Sequence, residues 1–175
     1  MDSVGLVAVL NNLNRGLDFG GNPLGTQSAF FIGVAVNPFA SNLEEEIQRL
    51  VQKVRAGANF AVTTPVFDVQ GLRDFLRRVA PCPIPVAGSI WPLTSFRHAE
   101  YLHNEVPGVR IPAAIMARMR QADTGEPARA EGLRIARELL RELRPLVNGV
   151  QITPPLGRYA MAAETVETLR EAKEK

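Results

Sequence analysis

The chain is poor in the residues that build several common kinds of site. Among its 175 residues there is one cysteine, Cys82, so it can form neither a disulfide framework nor a thiolate zinc site. Two histidines, His98 and His103, with no carboxylate pattern beside them, argue against a metal centre. Aromatic residues make up only 6 % of the chain and no single charge dominates: 20 basic residues against 18 acidic leave a net charge of +2. The basic residues are interleaved with glutamates at helical spacing, the pattern of solvated helix faces, so no nucleic-acid partner is expected. No apolar run reaches the ~18 residues of a membrane helix, and the opening MDSVGLVAVLNN lacks the basic region and long apolar core of a signal peptide. A cytoplasmic protein without a membrane partner is the expectation.

What is present is a core and a rhythm. Hydrophobic residues account for 46 % of the chain, enough for a folded domain, and the length predicts a single one over residues 1–175. Val4–Leu13 reads as an amphipathic helix, followed by the turn-rich GLDFGGNPLG from Gly16. Four short apolar runs then alternate with helical patterns: Phe30–Val36, Phe60–Val66, Ile84–Trp91 and Gly149–Thr153. Continuous apolar runs of this length are typical of buried parallel strands. Between them, Ser41 with Glu44 forms a capping-box pattern and Gly57 a helix stop. Asp68 caps a stripe of Leu72, Phe75, Leu76 and Val79, and Thr94 or Ser95 caps a helix through Ala99 and Leu102 that ends at Pro107-Gly108. Pro112 opens a helix with Ile115, Met116 and Met119 inward. TGEP, from Thr124, separates it from another with Leu133, Ala136, Leu140 and Leu143 inward. A last helix starts near Ala160, with Val166 and Leu169 as its apolar spine.

One helix followed by four strand–helix units predicts an α/β fold with four parallel strands and flanking helices. A (β/α)8 barrel needs eight units and roughly 250 residues, so this would be a partial TIM barrel. A small open doubly wound sheet is the alternative; against it, the glycine-rich stretch precedes the first strand instead of following it. In a barrel, chemistry gathers at the C-terminal strand ends. Here those are Asn37, Thr63-Thr64, Trp91-Pro92 and Thr153-Pro154. The competing role for each polar residue among them is to cap the next helix.

Five segments carry a family resemblance: DSVGL from Asp2, FFIGVAVNP from Phe30, KVRAGANFAVTTPVFD from Lys53, HAEYLHNEVPGVRIP from His98 and GVQITPPLGR from Gly149. In order and spacing the chain resembles methylenetetrahydrofolate reductase, most closely the form fused behind a homocysteine methyltransferase domain. The likeness is to the second part of that barrel, its fifth to eighth strands.

The resemblance implies a flavoprotein that moves a hydride from NAD(P)H through FAD to methylenetetrahydrofolate. The flavin carries the electrons and the protein positions it. It also implies that this chain is part of a reductase whose first half is absent, completed by a complementary half-barrel or a homo-oligomer, and possibly associated with a homocysteine methyltransferase domain. An inactive half-barrel or a folate-binding module without redox chemistry is the alternative. No catalytic residue is expected in this chain, because the family's general acid lies on the first strand.

By the same resemblance Asn37, Glu46, Arg49 and Lys53 would contact the cofactor, Lys53 at a phosphate; Thr64, His98, Leu102 and Arg158 would contact substrate. Thr64 stands where the family has a glutamine, and a hydroxyl cannot reproduce the two-way contact of an amide. Glu46, Arg49 and Lys53 also fit an ordinary solvated helix face, Leu102 a core position, and His98, His103 and Arg158 the surface.

Overall fold

A computed structural model describes residues 1–171, without the side chains of 156 and 168–171; the expected inward position of Leu169 lies outside the described residues. The elements are α1 (Ser3–Asn14), β1 (Gly33–Val36), α2 (Leu43–Ala56), β2 (Phe60–Pro65), α3 (Val69–Val79), β3 (Val86–Ile90), α4 (Phe96–Glu105), α5 (Ala113–Ala122), α6 (Gly125–Leu143), β4 (Gly149–Ile152) and α7 (Tyr159–Glu171). A 3-10 turn, Pro155–Gly157, joins β4 to α7.

All three strand pairings are parallel and the sheet order is β1-β2-β3-β4. The order runs one way without reversal. Right-handed crossovers then put the connecting helices on one face, which sets the doubly wound alternative aside. Burial alternates along β1: Val34 and Val36 are buried, Gly33 and Ala35 exposed. Ala61, Val86 and Ile90 continue the covered face, while Gly149 and Gln151 lie exposed in β4. The core fills the space between strands and helices with Leu50, Leu72, Phe75, Leu102, Met119, Leu140 and Leu143, all essentially solvent-free. Each such side chain contributes roughly 1.5–3 kcal/mol.

Several boundaries differ from expectation for identifiable reasons. The first strand begins at Gly33, not Phe30. Asn14 holds the backbone of Phe30 at both its N–H (2.7 Å) and its carbonyl (2.9 Å), tying this segment to α1 before the sheet starts. Asn42, not Ser41, caps α2, accepting from the Glu45 N–H at 3.2 Å. Gly57 does end α2, at φ +117°, and a Cβ there would lie 2.5 Å from the Asn11 side chain, so the close approach of α1 also requires glycine. The break between α5 and α6 is shorter than TGEP: it falls at Asp123-Thr124, Thr124 is the N-cap of α6, and Pro127 sits in the first turn of α6, where a missing N–H costs nothing. In α5 only Met119 is fully buried; Ile115 and Met116 are partly so. Leu133 is likewise only partly buried, and Ile135 and Leu139 join Ala136 and Leu140 on the inward face of α6. In α7, Val166 is 39 % exposed and the helix packs through Met161 and Thr165 instead.

Candidate functional site

The C-terminal ends of β1 and β2 meet in a hydrogen-bonded chain. Asn37 follows β1 directly. Its side-chain Oδ1 accepts from the Phe39 N–H at 2.9 Å, a turn that starts the route into α2. The same Oδ1 lies 3.2 Å from Thr64 Oγ1, and that hydroxyl is 3.4 Å from the Gly108 carbonyl. Thr64 therefore ties the end of β1 to the loop after α4. Gly108 has φ +80°, and a Cβ on it would fall 2.0 Å from Asn37 Nδ2; nothing larger than glycine fits there. A cleft of about 610 Å³ opens beside this junction, lined by Asn37, Phe39, Ser41, His103, Gly108 and Arg110. Thr63, one residue before Thr64, plays a different part: it is buried, and its hydroxyl accepts from the Ser89 N–H at 3.0 Å where the β2–β3 register shifts.

The cofactor candidates on α2 turn toward β1. Glu46 Oε1 accepts from the Asn37 N–H at 2.9 Å. Lys53 is only 6 % exposed and its ammonium donates to the Ala35 carbonyl at 2.8 Å. Burial pulls the Lys53 pKa below the ordinary lysine value, partly countered by the charge of Glu46. Arg49 points outward and pairs with Glu45 at 3.3 Å, both side chains exposed. Three of the four cofactor candidates thus sit together with Thr64, and Arg49 stands apart on the solvent side.

The other substrate candidates are dispersed. Ser95 caps α4 through the His98 N–H at 3.1 Å. His98 is partly buried; Nδ1 lies 3.4 Å from the Thr94 N–H and 3.2 Å from its hydroxyl, and burial lowers the imidazole pKa. Acceptance at Nδ1 places the proton of the neutral ring on Nε2. Leu102 is 1 % exposed and belongs to the core. His103, expected to be merely solvated, accepts from the Ile111 N–H through Nδ1 at 3.1 Å and fastens the start of α5. Arg158 is exposed beyond β4, at the opposite edge of the sheet from Asn37, beside a cleft of about 650 Å³ between the first turns of α6 and α7. Sequence reasoning missed the Gly108 junction, although Pro107-Gly108 was readable as a turn at the end of α4.

Among the described residues, no group of three or more His, Cys, Asp or Glu side chains could hold a metal ion, and no helix is long and apolar enough to cross a membrane. The fold and this junction define a parallel α/β sheet whose polar groups collect at the C-terminal strand ends. The sequence model of the methylenetetrahydrofolate reductase family matches residues 24–165, and the chain belongs to that family. It is 32 % identical over 112 residues to 5,10-methylenetetrahydrofolate reductase of Escherichia coli strain K12, and equally so to that of Shigella flexneri. Those alignments cover 62 % of this chain and 37 % of each relative, so the chain spans little more than a third of the curated relatives it matches. A similar solved structure is a protein from Clostridium thermocellum that binds two copies of 5-methyl-5,6,7,8-tetrahydrofolic acid. It has a TM-score of 0.56 and 17 % identity, with 83 % of this chain and 54 % of that one covered, and the likeness is one of fold.

Proposed function

We propose that residues 1–175 form one domain, the second half of a methylenetetrahydrofolate reductase barrel, its four strands standing for the fifth to eighth. In this reading the chain takes part in reducing 5,10-methylenetetrahydrofolate to 5-methyltetrahydrofolate with FAD and NAD(P)H, once a polypeptide carrying the first half is present. The observation that carries it is the family match across all four strand–helix units, residues 24–165. Thr64, His98 and Arg158, on strand ends or the elements after them, are the substrate contacts of the assembled barrel; Leu102, 1 % exposed, is a core residue of α4 and makes no such contact.

The flavin part of this reading meets a physical obstacle in the chain by itself. The Lys53 ammonium is buried on the Ala35 carbonyl and Glu46 is engaged with the Asn37 N–H, so neither is free for a ribose or a phosphate. As they stand, these residues do not fit a flavin cradle, and Arg49 is exposed and paired with Glu45 on the solvent side. The same engagement favours a second reading, a folate-binding module without redox chemistry, and the folate-binding neighbour in Clostridium thermocellum supports it.

The two readings separate in one experiment. The purified chain is mixed with a polypeptide bearing the first four strand–helix units of a family reductase, then followed by flavin absorbance and by conversion of methylenetetrahydrofolate. Flavin retention and turnover by the mixture, absent from either part alone, is the outcome expected of a reductase half. Binding of 5-methyltetrahydrofolate to the isolated chain, with no flavin retained by the mixture, would establish the second reading and defeat the first.

A further inference from the structure

β1 ends the sheet, and an edge strand presents unpaired backbone groups that recruit other strands. Its backbone polarity is fixed by its start. The Ile32 carbonyl accepts from the N–H groups of Asn59 (2.8 Å) and Phe60 (3.4 Å), so it faces β2. The two-residue period of a strand then turns the groups of Gly33, Ala35 and Asn37 the other way, where no strand lies among the described residues. Two of those outward groups are nevertheless satisfied. Lys53 donates to the Ala35 carbonyl at 2.8 Å, and the Asn37 N–H donates to Glu46 at 2.9 Å.

Lys53 and Glu46 lie seven residues apart on α2, two turns, and so reach over the edge from one face of the helix. A neighbouring strand would offer a donor to the Ala35 carbonyl and an acceptor to the Asn37 N–H; the ammonium and the carboxylate offer the same pair in the same order. Lysine is almost never fully buried unless paired, and here the backbone carbonyl is what holds it. We infer that Glu46 and Lys53 form an edge lock, standing in for a neighbouring strand, so that another strand joins β1 only when both side chains withdraw. The lock rests on hydrogen bonds within this chain and stands whether or not an assembled barrel binds flavin.

Amide hydrogen exchange of the full chain at increasing concentration, with mass from light scattering, tests this. The Ala35 N–H faces the free side of β1. In the native chain it exchanges at a rate independent of concentration. In the double variant Glu46→Ala, Lys53→Met it slows with concentration, roughly fivefold or more, as a second chain pairs with the unlocked edge, and the mass rises with it. Because Lys53 is buried, far-UV circular dichroism first establishes that the double variant folds. Should it not fold, Glu46→Ala alone is expected to give the same concentration dependence with smaller amplitude. Concentration-dependent protection of Ala35 in the native chain, or its absence from a folded variant, would overturn the lock.

Discussion

Gly132 lies inside α6, where sequence propensity alone would favour alanine by about 1 kcal/mol. The structure argues the reverse. A Cβ on Gly132 would lie 1.8 Å from the Leu93 carbonyl oxygen and 2.6 Å from its carbon, both backbone atoms that cannot rotate away. Ordinary contact begins near 3.4 Å, so α6 and the segment after β3 would have to separate by about 1.6 Å, the difference between 3.4 and 1.8. Leu93 is fully buried and Thr94 and Ser95 follow it, so the displacement would reach the cap of α4 and the Thr94–His98 contact. Overpacking of a closed core costs about 1–3 kcal/mol or more, which outweighs the helix gain. Because both clashing atoms are backbone, the upper end of that range applies; set against a helix gain of about 1 kcal/mol, Gly132→Ala is expected to be destabilising by about 2 kcal/mol net, a fall in Tm of roughly 4–8 °C. Thermal unfolding by circular dichroism measures it. An unchanged or higher Tm would show that α6 does not pack on Leu93 as described.

Three other outcomes follow from single contacts. Thr64→Val keeps the shape but removes the hydroxyl that ties Asn37 to Gly108; a loss of about 1 kcal/mol and faster exchange of the amides of residues 106–110 are expected, and unaltered exchange would dissociate Thr64 from that loop. His98 has its pKa depressed by burial, so the unfolded chain takes up its proton first; stability is intact above 6.5 and is lost as pH falls below that value toward the depressed one. In His98→Gln, denaturant midpoints measured across that window should lose this component. Glu138 has its pKa lowered, chiefly by the hydrogen bonds of Arg118, so its contribution is present above the unfolded value of 4.5 and disappears as pH falls through the lower folded value. Arg118→Met should flatten that acid limb in the same titration; an identical limb would show that the Arg118–Glu138 pair does not couple to folding.

The strand–helix cycle was legible because its signals are local. Asp68 and Ser95 cap the helices they were expected to cap, and Gly57 stops α2 at a left-handed φ that favours glycine. What local patterns could not supply was competition between neighbours. Ser41 and Asn42 are both good caps, and the choice fell to the residue whose side chain reaches the Glu45 N–H. Phe30 and Phe31 look like strand, yet Asn14, sixteen residues before Phe30, holds them out of the sheet; Phe31 then stacks on Phe60 with ring centres 5.2 Å apart. Val166 fits a helical spine by spacing, but Thr165 is the residue that turns inward, its hydroxyl satisfied by the Met161 carbonyl at 2.7 Å.

The candidate site shows the same division between residue type and residue use. Resemblance and spacing single out Glu46, Arg49 and Lys53 as one charged helix face, and the structure divides it. Spacing does not tell which charges meet water. Arg49 does, while Lys53 and Glu46 turn onto β1, and the reason is the edge itself: an outward carbonyl at Ala35 and an outward N–H at Asn37, with no strand beside them, attract the nearest donor and acceptor. Sequence patterns report what a side chain can bond; the unpaired backbone of a sheet edge decides what it does bond. Any partner that supplies a strand at β1 would change that decision, returning an ammonium and a carboxylate to the mouth of the sheet at the moment the edge is filled. Strand pairing and exposure of these two charges would in that sense be a single event.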